Sequence, residues 1–138
     1  MKKFQRILGS MMIILFILSG CSQYFMKDNP NVENPLDVAK LETDVLTSWY
    51  VDTYQLAIRM NNDAILSEDS RKILINKINP TLDMFKKSLV AYISNIQMIE
   101  NNPVHLDTDM ANLQNLSNRL TVLKGMIVKY LISIENAQ

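Results

Sequence analysis

The chain has 138 residues, with 14 basic and 14 acidic side chains and one histidine, a length that fits a single domain. No basic patch points to nucleic acid, and no acidic run points to a solvating tail. A single cysteine excludes an internal disulfide. Few aromatics and only 3 glycines suit helices better than sheets, which favour β-branched and aromatic residues and need turn glycines.

The amino-terminal segment opens with a short basic stretch containing Lys2, Lys3 and Arg6. Residues 7–18 (ILGSMMIILFIL) form an apolar run of 12, followed by Ser19, Gly20 and Cys21. A bilayer-spanning helix needs about 20 apolar residues, so this run fits the core of a secretion signal better than a membrane span. An uncleaved anchor, or an ordinary signal that merely contains a cysteine, are the competing readings. The register of basic start, short apolar core, small pair and cysteine favours neither. Leu18-Ser19-Gly20-Cys21 resembles the lipobox of bacterial lipoproteins. The resemblance, which covers residues 1–22, implies cleavage between Gly20 and Cys21, a diacylglyceryl group on the Cys21 sulfur, and in many bacteria an acylated new amino terminus. In a Gram-negative host, Ser22 in place of Asp after the cysteine implies the outer membrane. Without residues 1–20, 11 basic and 14 acidic side chains remain, a mild negative balance.

Residues 22–35 (SQYFMKDNPNVENP) are polar, with two Asn-Pro steps and no helical period, and read as a linker. Tyr24, Phe25 and Met26 lie close to the lipid and suit either the headgroup region or packing on the domain. The first helix is predicted to start at Asn34 as N-cap, with Pro35 at the first helical position and Asp37 in the first turn, and to run to about Ile65. Val38, Leu41, Val45, Trp49, Leu56 and Met60 make its predicted apolar stripe. Leu46, Tyr50, Tyr54 and Ile58 widen the stripe, and Asp52 interrupts it.

Ser67 is predicted to cap the second helix, with Glu68 and Asp69 at the positive end of its dipole. Ile75, Ile78, Leu82, Phe85, Leu89, Tyr92, Ile96 and Ile99 step by three and four. Pro80 lies inside this run and predicts a kink, the alternative being a break with Asn79 capping a new helix. Asn101-Asn102-Pro103 ends the helix. Asp107 or Thr108 is expected to cap the third, where Leu113, Leu116, Leu120, Leu123, Ile127, Tyr130 and Ile134 form the seam. Short connections make successive helices antiparallel neighbours. The expected fold is all-α, an elongated antiparallel three-helix bundle over residues 36–138, after a signal at 1–20 and a lipidated linker at 21–35.

Chemistry-bearing clusters are scarce. His105 has Asp107 and Asp109 nearby, but a triad needs a nucleophile, base and orienting group at one site, and capping explains Asp107 better. One histidine, with the cysteine committed to lipid, cannot build a transition-metal site. The acidic pairs at Glu42 and Asp44, Glu68 and Asp69, and Asp107 and Asp109 lack the spacing of a calcium loop. No phosphate loop or nucleophile elbow is present. No enzyme, metal or cofactor is expected. Asn112, Asn115 and Asn118 recur every third residue beside Arg119 and are the residues that could face a partner, although a chain rich in Asn, Ile and Lys produces such rows by composition alone. Met60, Met84, Met98, Met110 and Met126 could line an adaptable groove, but helical spacing favours core filler.

Beyond the lipobox, residues 40–135 resemble small uncharacterised lipoproteins of bacterial genomes and prophages. The likeness consists of a helix bearing Tyr54 to Ile58, a Ser67-Glu68-Asp69 start, a long Leu/Tyr helix and a Leu-rich final helix, and it carries over no functional residue. The leading expectation is a lipid-anchored, non-enzymatic interaction module facing outside the cytoplasm from the cell membrane or outer membrane. Its partners would be membrane lipid through Cys21 and an envelope protein or a second copy. The competing expectations are a prophage-type exclusion, defence or lysis-related lipoprotein, and a small-ligand binder with Trp49, Tyr50 and Tyr54 as pocket walls.

Overall fold

The computed structural model describes residues 34–136, and every element among them is helical. They comprise α1 (Pro35–Asn61), α2 (Glu68–Ile73), a π-helical turn (Leu74–Ile78), α3 (Asn79–Asn101), a 3-10 turn (Pro103–His105) and α4 (Leu106–Asn136). Since α2, the π turn and α3 follow without interruption, the described residues make three helices, and these pack as a helical bundle. The chain divides into two compact units, Met1–Val38 and Ala39–Gln138. Of the first, only the opening of α1 is described; the second holds the core. The signal, the lipobox residues and most of the linker lie outside the described residues.

Capping residues set the helix starts much as their chemistry dictates. Asn34 Oδ1 accepts the Leu36 N–H at 3.0 Å, and Pro35, whose missing donor costs nothing at this position, is the first helical residue. Ser67 Oγ accepts the Ser70 N–H at 3.2 Å, and Glu68 and Asp69 follow in the first turn. The end of α1 comes at Asn61, earlier than the predicted Ile65. Asp63 Oδ1 accepts the Ile65 N–H at 2.9 Å, a local bond that competes with helix continuation. The Arg71 guanidinium donates to the Asn61 and Asp63 carbonyls at 3.2 and 3.0 Å, supplying donors that the helix end leaves missing.

The second helix settles the question posed by Pro80. The helix does not break, and Asn79 makes no capping bond, since Ile78 and Asn79 both have right-handed helical backbones. Instead the preceding turn widens, with Asn79 N–H donating to Leu74 C=O five residues back. A proline ring collides with the carbonyl four residues before it, here that of Asn76, and the wider turn relieves the crowding. The Thr81 hydroxyl donates to Lys77 C=O at 2.6 Å.

The widened turn also resets the register. The predicted seam begins at Ile75, but Ile75 is 50% exposed while Leu74 is fully buried. The buried positions run Ser70, Leu74, Ile78, then Leu82, Phe85, Leu89, Tyr92, Ile96 and Ile99. Two turns of regular α-helix hold about 7.2 residues, and the π turn takes up the eighth between Ser70 and Ile78. From Ile78 onward the expected seam is the observed one.

Of the predicted stripe, the first helix buries only Leu46 and Trp49. Ala39, Leu46, Trp49, Thr53 and Ala57 are buried, whereas Leu41, Val45, Tyr54 and Ile58 are exposed and Val38, Tyr50, Leu56 and Met60 half-buried. Asp52 is exposed, so the apparent interruption belongs to a face that is not the core. In α4, Ser117 and Leu131 are buried while the expected Leu116 and Tyr130 are only half-buried. The third helix starts at Leu106, directly from the 3-10 turn, with Asp107 and Asp109 inside its first turn in place of the expected cap. Asn102 is extended (φ −151°, ψ 85°), as the residue before Pro103 must be. None of the five methionines is core filler: Met84 and Met98 are exposed and Met60, Met110 and Met126 half-buried.

The π-turn register gives a direct test. Leu74→Ala should cost about 2–5 kcal/mol by emptying a filled core site, whereas Ile75→Ala should stay within about 1 kcal/mol. Paired urea denaturation curves measure both; equal losses would place the turn in the wrong phase.

Candidate functional site

Of the residues singled out by sequence, Gly20 and Cys21 lie outside the described residues. Asn112, Asn115, Asn118 and Arg119 are all exposed on α4. Each three-residue step falls about 60° short of a full turn, so the asparagines slant across the outer face and do not form a straight stripe. Asn118 Oδ1 accepts a bond from Gln114 Nε2 at 3.2 Å. His105 closes the 3-10 turn, one residue before α4. Among the described residues no group of three His, Cys, Asp or Glu could hold a metal ion.

The densest polar arrangement instead centres on Glu42, which sequence reasoning treated as half of an acidic pair. α1 places it one turn before Leu46, on the side that faces the other helices. Its Oε2 accepts the Tyr92 hydroxyl from α3 at 2.6 Å, and its Oε1 accepts the Ser117 hydroxyl from α4 at 2.9 Å. One carboxylate thereby joins all three helices. Tyr92 is almost wholly buried. Burial first, then the bond to Glu42 and its charge, hold the Tyr92 phenol well above its ordinary value of about 10. One turn away, Asn95 is buried, with its amide donating at 3.5 Å to Asp109 C=O and its Oδ1 unpaired.

Next to this node runs a series of rings. Tyr54 stacks on Tyr50 at 5.8 Å between centroids, Tyr50 on Phe85 at 6.0 Å, and Phe85 meets Trp49 at 5.0 Å with a 54° tilt. The Lys124 ammonium sits 5.5 Å from the Trp49 ring centre. Such ring pairs contribute about 0.5–1.5 kcal/mol each beyond the area they bury, and the cation adds roughly 0.5–1 kcal/mol at a half-exposed position. Trp49 Nε1 is buried without a hydrogen-bond partner, so the indole serves here as an apolar slab. The ring series passes from the exposed Tyr54 into the core, and each ring between the ends stacks or packs on two others.

Chemically, the node supplies cohesion. Both Glu42 oxygens accept bonds from buried hydroxyls, and a carboxylate is too weak a base to strip a serine of its proton. Ser117 is itself buried between helices. A pattern that could have found Glu42 exists in the sequence: Ala39, Glu42, Leu46, Trp49, Thr53 and Ala57 step by three and four, once small and polar residues are admitted to the stripe.

Compared with known proteins, the chain matches no family model, and neither a curated protein nor a solved structure resembles it significantly.

The Tyr92 bond makes two linked predictions. Tyr92→Phe should destabilise the chain by about 1.5 kcal/mol at neutral pH, the usual worth of a hydrogen bond to a charged acceptor. Because the folded phenol resists ionisation, its contribution is complete below pH about 10 and declines as the unfolded state's tyrosine ionises above that value. Stability measured from neutral to alkaline pH should therefore fall less steeply in Tyr92→Phe than in the parent chain; parallel curves would refute the assignment.

Proposed function

We propose that this chain is a membrane-anchored lipoprotein whose helical body serves as a non-enzymatic interaction module at the cell envelope. The observation that carries the reading is the register of Leu18, Ser19, Gly20 and Cys21 behind a basic start and a 12-residue apolar run. Among the described residues, no helix is long and apolar enough to cross a membrane. Two or three acyl chains on Cys21 hold a water-compatible domain against a bilayer, since each buried methylene contributes about 0.8 kcal/mol and one chain alone binds marginally.

The body is an up-down-up bundle with antiparallel neighbours. In support, the α3 partners of α1 fall in sequence as α1 advances, from Glu100 opposite Lys40, through Tyr92 opposite Glu42, to Phe85 opposite Trp49. The α4 partners rise, from Ser117 opposite Glu42 to Lys124 opposite Trp49. The polar node and the ring series are spent on joining helices, which favours a scaffold over catalysis. Trp49 and Tyr50 pack on Phe85 and Tyr54 stacks on Tyr50, so the ligand-pocket reading gains no support from them. Partner recognition falls to the outer faces, where Asn112, Asn115, Asn118 and Arg119 are candidates.

Cys21→Ser should abolish labelling by a metabolically supplied fatty acid and move the chain from the detergent phase to the aqueous phase. Retained detergent partitioning in that variant would sink the lipoprotein reading.

A further inference from the structure

α2 has only 6 residues, and it joins α3 through the π turn without interruption. A helix so short keeps its shape only through its neighbours. On one side, α2 and the π turn pack against α4, with Ser70 and Leu74 fully buried. On the other, the Arg71 guanidinium holds the Asn61 and Asp63 carbonyls that close α1. The segment thus straps the end of α1 to the bundle. Both attachments depend on the extra residue in the π turn. In a regular helix run back from Ile78, Arg71 would lie within about 20° of the buried line and Ser70 about 80° from it. Straightening the turn therefore aims a guanidinium where the serine now sits. So placed, Arg71 loses its two carbonyl partners and must swing back to water, taking α2 with it.

We propose that the π turn is a latch with two positions, and that Pro80 holds it in the closed one. The closed form is the observed one, with α2 docked and Arg71 on the end of α1. The open form is one regular helix from Glu68 to Asn101, with Arg71 withdrawn and α2 lifted from α4. Each form has its own advantage. The docked form keeps Ser70 and Leu74 buried and both Arg71 bonds in place. The straight form recovers the ordinary bonds to the fourth residue back, which a π turn gives up. Pro80 decides between them, because it has no N–H for the Asn76 carbonyl and its ring collides with that carbonyl in a regular helix. Ile75 suits both forms. It is half exposed when the latch is closed, and straightening turns it toward the seam beside Leu74, so an aliphatic side chain fills that level either way. Opening bares the part of α4 beneath α2 and leaves the seam from Ile78 onward intact. Local openings of this kind belong to segments with few buried contacts. The latch lies wholly within the helical body and does not depend on the lipid anchor.

The test introduces Pro80→Ala into the full-length chain and follows amide hydrogen exchange by peptide mass spectrometry. Alanine permits the regular helix that proline forbids. Amides of residues 68–73 should then exchange about tenfold faster or more, while those of residues 82–99 keep the parent rate. A second variant adds deletion of Asn76 to Pro80→Ala. A regular helix then separates Ser70 from Ile78 by two turns, so α2 docks without a π turn and slow exchange should return. Unchanged exchange at residues 68–73 in Pro80→Ala overturns the latch, because the π turn then persists without the proline. Faster exchange along all of α3 overturns it as well, since the whole bundle has then loosened. Failure of the Asn76 deletion to restore slow exchange overturns the assignment of docking to helix phase.

Discussion

Glu42 is the point at which the three helices are tied. A carboxylate placed among helices costs solvation, and that cost is offset only where hydroxyls on the facing helices aim at both oxygens. Tyr92 and Ser117 do so, from α3 and α4 respectively. The bond geometry is demanding in a way that apolar contacts are not. Sliding any helix by one turn would leave the carboxylate or a buried hydroxyl without a partner. Leucine against leucine tolerates such slips, because the apolar seam repeats at nearly the same interval. The node thus fixes register, while the surrounding Leu, Ile and aromatic side chains supply most of the cohesion.

The other elements accommodate that fixed register. The ring series from Tyr54 to Trp49 fills the space between α1 and α3 with wide, rigid groups, which suits a first helix whose other buried positions, apart from Leu46, are small, at Ala39, Thr53 and Ala57. Ser88 and Ser117 are small buried residues on α3 and α4, the two helices with the most extensive backbone proximity in the bundle. The π turn before Pro80 keeps Ser70 and Leu74 on the same side as Ile78 and the seam beyond it. A regular helix in its place would have carried Ser70 and Leu74 out of phase with that seam.

Under the proposed function, covalent modification belongs to the segment ending at Cys21 and recognition to surfaces of the helical body. Of the buried polar groups, Tyr92 and Ser117 join helices through Glu42, Thr53 and Thr81 bond carbonyls one turn back in the chain, and Asn95 Oδ1 and Trp49 Nε1 are left unpaired. Under the same proposal, helices tied by the Glu42 bonds suit a tethered module that presents its outer faces to a partner.

Helix class, helix number and most helix ends followed from local chemistry. Asn34, Ser67 and Asn102-Pro103 act through bonds and torsional limits that span a few residues, so their positions in the sequence nearly suffice. The seam of α3 was legible because large apolar residues there repeat without competition, and that of α4 except where Ser117 and Leu131 are buried in place of Leu116 and Tyr130. The candidate lipid site is legible from sequence alone, as it depends on a linear motif. The tertiary structure decided which side of α1 is the core. That helix carries apolar residues on more than one face, and only the facing Phe85, Tyr92 and Ser117 select the side bearing Ala39, Glu42 and Trp49. It also decided the phase of α2, where the collision of the Pro80 ring with the backbone was resolved by widening a turn. In both cases the choice depends on what lies opposite, and a linear pattern of hydrophobicity contains no information about the opposing surface.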